Sequence, residues 1–198
     1  MEKTKNNRKL VIAITGASGS LYAKLLMDEL INHKKLFDEI SVVMTSNAKE
    51  VWEYELKNKD YEKYPFKFWE QNNFYAPFAS GSAGYTDMII CPCSTGMLGR
   101  IANGISNDLI SRAADVMMKE RKRLILVVRE IPYNLIHLQN MLTLTQAGAI
   151  VCPASPSLYH LPNNINELLL SVVHRVLNLI NIYPDKQYQW NTDNTDKE

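Results

Sequence analysis

Three clusters of small, hydroxyl-bearing or charged residues could carry chemistry, and each follows a run of apolar residues. Gly16-Ala-Ser-Gly19 comes after the first run, and Pro92-Cys-Ser-Thr-Gly96 comes after the third. Small residues at a helix N-terminus let backbone N–H groups approach a phosphate. Arg129-Glu130 follows a later run, where an arginine can clamp a phosphate and a glutamate can transfer a proton. These residue types indicate a phosphorylated ligand and a proton-transfer step.

Five apolar runs predict the strands of a parallel sheet, because they are apolar at successive positions, as in strands covered on both faces. They span residues 9–15, 40–44, 88–91, 124–128 and 149–152. Residues at helical spacing lie between them. The predicted helices begin after Gly19 and span 47–55, 98–101 with 109–118, 135–146 and 165–182. Alternating strands and helices predict an α/β fold, with a doubly wound, mainly parallel sheet flanked by helices, Rossmann-like or flavodoxin-like.

In such a sheet, ligands bind beyond the carboxyl ends of the strands. Thr45 and Ser46 follow the second predicted strand, so hydroxyl groups end three strands in succession. This predicts a phosphorylated ligand lying across the sheet edge. Taken alone, the turn at residues 16–19 is a weak signal, since it lacks the third glycine of GxGxxG and helix capping by Ser18 explains it nearly as well.

Residues 57–84 interrupt the pattern with an aromatic, polar stretch that contains Pro65, Pro77 and Gly81. One interpretation is a surface excursion that packs its own rings together. The other is a lid or wall over a planar, apolar ligand, because long irregular segments in compact domains are often functional. The pattern alone leaves both open.

Composition excludes several classes of protein. The chain has 198 residues, 46% of them hydrophobic, and 22 basic residues nearly balance 21 acidic ones. No clustered positive charge indicates nucleic acid binding, and no apolar run approaches the roughly 20 residues of a membrane span. Three cysteines form no CxxC pair, which predicts a reducing compartment, the cytoplasm, and no metal site. The length predicts one domain over 1–198, with flexible tails at 1–8 and 191–198.

The sequence resembles the UbiX-type flavin prenyltransferases from about residue 9 to residue 182. Short motifs occur in the order and spacing of that family. They lie at residues 15–19, 79–82, 91–96, 107–110, 112–115, 119–121, 128–130, 136–138, 140–142 and 158–160. Each motif is short, but so many in register make coincidence implausible. The resemblance, and not composition or periodicity, supplies the reaction.

The resemblance implies a dimethylallyl transfer from dimethylallyl monophosphate to N5 of reduced flavin mononucleotide (FMN), followed by ring closure at C6. The product is the prenylated flavin that UbiD-type decarboxylases use. The family needs no metal, and its members form closed homo-oligomers, often dodecamers, with flavin at subunit contacts. Cleavage of an allylic C–O bond leaves negative charge on phosphate and positive charge on the allyl group. Cations at one end of the site and π-faces at the other would stabilise both.

Site residues follow from the resemblance position by position. The implied flavin contacts are Gly16, Ala17, Ser18, Thr45, Ser94, Thr95, Gly96, Met97 and Arg112. The implied donor contacts are Phe74, Ser80, Lys119, Arg129, Tyr159, Arg175 and Trp190. Glu130 with Ser18 is predicted to move protons between flavin and phosphate, and an ion pair that holds Arg129 is the structural alternative for Glu130.

Two positions depart from the family pattern. Met97 stands where the family usually has threonine, which predicts one hydroxyl fewer in the flavin site. Leu161 follows Tyr159-His160 where many members have arginine or glutamine. Weaker flavin contact, or no effect, is expected from these changes, because the cation cluster is untouched.

Three alternatives share part of this pattern. An FMN-dependent cysteine decarboxylase would have a Pro-Ala-Ser-Ala-Asn turn where this chain has Pro92-Cys-Ser-Thr-Gly96. A short-chain nicotinamide oxidoreductase would have a Tyr-x-x-x-Lys pair, which the sequence lacks. A flavin carrier without chemistry stays open.

Overall fold

A single sheet of six parallel strands organises the computed structural model, which describes residues 8–185 and 187–189. The strands are β1 (Lys9–Ile14), β2 (Glu39–Met44), β3 (Lys67–Trp69), β4 (Asp87–Cys93), β5 (Arg123–Val128) and β6 (Ile150–Pro153). Their order across the sheet is β3-β2-β1-β4-β5-β6, and every adjacent pair is parallel. The predicted α/β class and doubly wound sheet are confirmed, and the strand order is that of the Rossmann fold.

The described chain has six α-helices, of which α1 to α5 lie between strands and α6 follows β6. They are α1 (Ser20–Asn32), α2 (Ser46–Leu56), α3 (Thr95–Ala102), α4 (Leu109–Lys119), α5 (Leu135–Gln146) and α6 (Ile165–Leu179). Polar caps fix where several begin: Ser94 caps α3, so α3 starts at Thr95 and not at residue 98 as predicted. The last helix ends at Leu179, three residues before the predicted end, and residues 177–182 turn back through backbone hydrogen bonds.

Two apolar cores lie on opposite faces of the sheet. Leu10, Ile12 and Ile14 of β1 pack in the core formed with α1, α2 and α6. Val11 and Ala13 pack in the core formed with α3, α4 and α5. Successive residues of a strand point to opposite faces, so a continuous apolar run is what a sheet covered on both faces requires.

The aromatic stretch at 57–84 contains a strand that the sequence pattern did not reveal. β3 pairs with β2, and Nε1 of Trp69 donates a hydrogen bond to Oγ of Ser41 at 3.2 Å. Short 3₁₀ turns at Asp60–Lys63, Pro77–Ala79 and Gly81–Ala83 complete the segment. Phe78 is fully buried, whereas Tyr75 is 97% exposed. The stretch is therefore partly core and partly surface.

The prediction of one domain over 1–198 stays a prediction, and most of the two predicted tails, residues 1–7 and 191–198, lies outside the described residues. Within the described ranges, no helix combines the length and apolar character that a membrane span needs.

Candidate active site

A cavity of about 560 Å³ lies at the carboxyl ends of β1, β2 and β4. The strand order reverses between β1 and β4, which is the point where ligands bind in open α/β sheets. The residues that line it are Thr15, Gly16, Thr45, Ser46, Asn47, Gln71, Ser94, Gly96 and Arg100. Four predicted flavin contacts, Gly16, Thr45, Ser94 and Gly96, are thus brought to one cavity.

Hydroxyl groups order the helix N-termini that open onto this cavity. Oγ1 of Thr45 accepts a hydrogen bond from the N–H of Ala48 at 3.0 Å and caps α2. Oγ of Ser94 accepts from the N–H of Met97 at 3.3 Å and caps α3. Each capping hydroxyl keeps its own proton for donation. Two helix N-termini, with the partial positive charge of their backbone N–H groups, therefore face the same space.

Gly16 permits the close approach of the first turn to α2. A Cβ atom at this position would lie 2.6 Å from Cβ of Asn47, whereas one on Gly96 would meet nothing within 4 Å. The absence of a side chain at Gly16 is therefore a packing requirement. At Gly96 a Cβ atom would meet no neighbour, so the glycine there only keeps the cavity open.

We expect Gly16→Ala to lower the free energy of unfolding by about 1–3 kcal/mol, because the added methyl group overpacks the contact with Asn47. Gly96→Ala is the matched variant, and its stability should change by less than about 0.5 kcal/mol. Urea denaturation of both proteins measures the difference. Equal stability of the two variants would contradict the close contact at Gly16.

Ser18 does not line the 560 Å³ cavity, and its hydroxyl is bonded to Glu55 rather than to Glu130, its predicted partner in proton transfer. The Glu55 carboxylate accepts hydrogen bonds from the N–H of Gly19 at 3.0 Å, from the N–H of Ser20 at 2.7 Å, and from the Ser18 hydroxyl. Partial burial raises the pKa of Glu55, but these hydrogen bonds outweigh it and hold the pKa below its ordinary value. Glu55 is a candidate site residue that the sequence did not suggest.

Glu55→Gln is expected to lower the free energy of unfolding at neutral pH by about 1–2 kcal/mol, because an amide oxygen accepts these bonds more weakly than a carboxylate. Since the folded-state pKa is lowered, the contribution of Glu55 is complete above its unfolded value of about 4.3 and disappears as the pH falls through the folded value. Urea denaturation between about pH 7 and pH 3 measures this dependence.

Glu50→Gln is the matched control, because Glu50 is exposed on the same helix. Its effect should stay below about 0.5 kcal/mol. A difference between wild type and Glu55→Gln that stays constant down to about pH 3 would show that the charge of Glu55 contributes nothing.

Arg129 and Glu130 leave β5 in different directions. Cγ of Arg129 lies 3.9 Å from where a Cβ on Gly19 would stand. Oε2 of Glu130 accepts a hydrogen bond from Oγ1 of Thr95 at 3.4 Å, and Oε1 accepts from the N–H of Ile131 at 3.0 Å. Among the described residues, Arg129 and Glu130 form no ion pair with each other, and both interpretations of Glu130 stay predictions.

A second cavity of about 320 Å³ lies beyond β6 and contains Arg175. Pro153, at the end of β6, lines it and pairs in register with Val128, the residue before Arg129. Ser155, Ser157, Ser171 and His174 also line this cavity. Arg175 thus lines a cavity beyond β6, whereas Arg129 follows β5 and its side chain approaches Gly19, in the turn after β1.

Comparison with known proteins assigns the chain to a family. A family model described as Flavoprotein matches residues 1–180. Flavin prenyltransferase UbiX of Methanocaldococcus jannaschii is 39% identical over 186 residues, which cover 93% of this chain and 99% of the relative. The chain belongs to the UbiX family of flavin prenyltransferases. The resemblance predicted from the motifs is confirmed.

Two solved structures of UbiX-type proteins share the fold. AnUbiX (PadA1), in complex with FMN and dimethylallyl pyrophosphate, has a TM-score of 0.85 and 37% identity, covering 93% of this chain and 97% of that chain. A dodecameric FMN-dependent UbiX-like decarboxylase from Escherichia coli O157:H7 has a TM-score of 0.87 and 32% identity, covering 92% and 98%.

Several residues that the UbiX resemblance assigned do not line either cavity. Arg112 donates from Nε to the carbonyl of Ala79 at 3.1 Å and pairs with Asp115 at 3.0 Å. Lys119 forms an ion pair with Glu120. Lys119 stands eleven positions along α4 from its cap, about 16 Å away. The predicted residues that line neither cavity and have exposed or half-exposed side chains are Ala17, Ser18, Phe74, Ser80, Thr95, Arg112, Lys119, Arg129, Glu130 and Tyr159.

Met97 requires a correction. Its side chain is fully buried in the core that α3 and α4 share, so it does not line the flavin cavity. Methionine at this position therefore fills core volume, and the expected loss of a flavin-site hydroxyl does not follow. Leu161 is 82% exposed, and the predicted contact Trp190 lies outside the described residues.

Five lining residues were absent from the predicted site: Thr15, Ser46, Asn47, Gln71 and Arg100. Asn47 directly follows the predicted Thr45-Ser46 pair, and Arg100 lies one helical turn after Gly96, so both had a local signal. Gln71 lies in the aromatic stretch, and only the tertiary fold brings it to the cavity. Its Oε1 accepts from the N–H of Ser46 at 3.2 Å.

Proposed function

We propose that this protein transfers a dimethylallyl group from dimethylallyl monophosphate to reduced FMN, and that a UbiD-type decarboxylase receives the prenylated flavin. The observation that carries the proposal is the position of four predicted flavin contacts around one cavity at the sheet's switch point, in a member of the UbiX family. AnUbiX, at 37% identity, was solved in complex with FMN and dimethylallyl pyrophosphate.

The residues of the larger cavity fit FMN. The approach of Gly16 to Asn47, which a Cβ atom would prevent, keeps the first turn close to the N-terminus of α2. Backbone N–H groups of α2 and α3 and the hydroxyls of Thr45 and Ser94 suit a phosphate ester. When bound, reduced FMN supplies the N5 nucleophile and the C6 position at which the new ring closes.

Arg129 and Arg175 are the proposed ligands of the donor phosphate. Each can neutralise the charge that develops on the departing phosphate when the allylic C–O bond breaks. Glu130 accepts a hydrogen bond from Thr95, whose neighbours Ser94 and Gly96 line the flavin cavity, and it is proposed to transfer a proton there. Ser18, bonded to Glu55 and not to Glu130, is proposed to act through Glu55 instead.

A homo-oligomer is proposed to complete the site. Helix α5 and the turn before it expose a run of large apolar side chains to solvent in one chain: Ile131, Leu135, Ile136, Leu138 and Leu142. Such a surface is typical of a subunit interface. The exposed donor contacts Phe74, Ser80, Lys119 and Tyr159, and the flavin contact Arg112, would then reach the site of a neighbouring subunit, and the E. coli relative is dodecameric.

The cytoplasm stays the proposed location. The described chain has three free cysteines, and burial raises the pKa of the Cys93 thiol to about 12. Cys91 and Cys93 are buried in the two different cores, where their thiols act as small apolar groups. A reducing compartment preserves that state.

Release of inorganic phosphate tests the proposed activity against the alternatives. We expect release only when reduced FMN and dimethylallyl monophosphate are both present. A peptide with a C-terminal cysteine, offered with oxidised FMN, should give no carbon dioxide. Decarboxylation of the peptide would favour the cysteine decarboxylase, and flavin binding without either product would favour the carrier.

A further inference from the structure

Arg100 brings a positive charge to the flavin cavity. It lies on α3 one helical turn after Gly96, so both residues share the helix face that opens onto the cavity. Among the nine described residues that line the cavity, it is the only one with a formal charge. The resemblance assigned Arg100 no role.

The guanidinium group of Arg100 is only partly engaged by the protein. Its Nη2 atom lies 3.8 Å from Oδ2 of Asp108 and donates to Sδ of Met97 at 3.8 Å. Its Nε atom is buried and has no hydrogen-bond partner among the described residues. A buried donor without a partner costs free energy.

Asp108 lies beside Arg100 but does not engage all of the arginine's N–H donors. Asp108 is buried at the cap of α4, and its Oδ1 accepts from the N–H of Ser111 at 2.8 Å and from its hydroxyl at 2.9 Å. Oδ2 accepts from Nε2 of Gln71 at 3.4 Å. The carboxylate therefore has nearer partners than Arg100. An arginine carries five N–H donors, so several stay available to a ligand.

We propose that Arg100 binds the phosphate group of FMN. This inference rests on the proposed function, since it concerns the same cavity. The N-termini of α2 and α3 supply partial positive charge, and Arg100 supplies the full charge that a phosphate monoester of nearly two negative charges needs. Its planar fork can donate two parallel hydrogen bonds to phosphate oxygens.

Affinities for FMN and for riboflavin, which lacks the phosphate, test this assignment. Arg100→Ala should weaken FMN binding by about 10- to 100-fold, the effect of a lost charge-assisted contact, and leave riboflavin binding within about twofold. Arg100→Lys keeps the charge but not the fork and should lose less. Lys49→Ala is the matched control, because it removes one positive charge from α2 outside the cavity lining and should change neither affinity by more than about twofold.

Flavin fluorescence titration of the wild type and the three variants gives both affinities, and circular dichroism confirms that each variant is folded. Unchanged FMN affinity in Arg100→Ala would overturn the inference, as would an equal loss for FMN and riboflavin. If the wild type binds FMN no more tightly than riboflavin, the phosphate assignment also fails. A wild type that binds neither flavin would overturn the proposed function itself, so the two failures are distinguishable.

Discussion

Arg129→Ala and Arg175→Ala are each expected to abolish prenyl transfer while FMN stays bound. Arg175 lines the 320 Å³ cavity, Arg129 follows β5 and approaches Gly19, and neither arginine lines the 560 Å³ cavity. Loss of one charge-assisted contact with the donor phosphate costs about 1.5–3 kcal/mol before any effect on the transition state. The departing phosphate carries more charge in the transition state, so the loss in rate exceeds the loss in donor affinity.

Steady-state phosphate release and FMN titration of the same preparations check this separation. Lys63→Ala is the control, because Lys63 is largely exposed, pairs with Asp60, and lies on a 3₁₀ turn of the aromatic stretch. Its activity should match that of the wild type. If FMN affinity fell as far as activity in either arginine variant, the assignment of these arginines to the donor would be wrong.

Glu130→Gln is expected to slow turnover by about 10²- to 10⁴-fold, the usual effect of removing a general acid–base group. The substitution keeps the size and hydrogen-bonding capacity of the side chain, so Thr95 and the N–H of Ile131 keep a partner. Since Arg129 is not its ion-pair partner in the described structure, loss of charge at Glu130 should not release Arg129. Affinities for FMN and donor should therefore stay close to those of the wild type.

Single-turnover kinetics with both ligands saturating isolates this effect from binding. A Glu130→Gln protein that folds, binds both ligands and turns over at the normal rate would reduce Glu130 to a scaffold residue. Proton transfer would then fall to Glu55 with Ser18, the carboxylate and hydroxyl that the fold places in contact.

Most of the sheet could be predicted from the sequence because β1, β2, β4 and β5 are continuous apolar runs, which only strands covered on both faces require. β3 could not be predicted in this way. It has three residues at the sheet edge, too few to show a period, and it forms because β2 offers it hydrogen bonds.

The flavin cavity was predictable where its residues follow strands directly, as Gly16, Thr45 and Ser94 do. Gln71 was not predictable, because only the packing of its loop brings it to the cavity. Outside the cavity, the contact of Glu55 with the first turn was not predictable either, because it depends on how the far end of α2 packs. The roles of Arg112, which is half-exposed, and of Lys119, which is exposed, rest on the resemblance alone, because neither residue lines either cavity of the described chain.

The most direct test of the central claim is the mass of the flavin after the reaction. The protein is incubated without oxygen with reduced FMN and dimethylallyl monophosphate, and the flavin is extracted and analysed by mass spectrometry. The account predicts a flavin heavier by one dimethylallyl unit, formed in a ratio of one to each inorganic phosphate released. Recovery of unmodified FMN alone from protein that binds both ligands would contradict it.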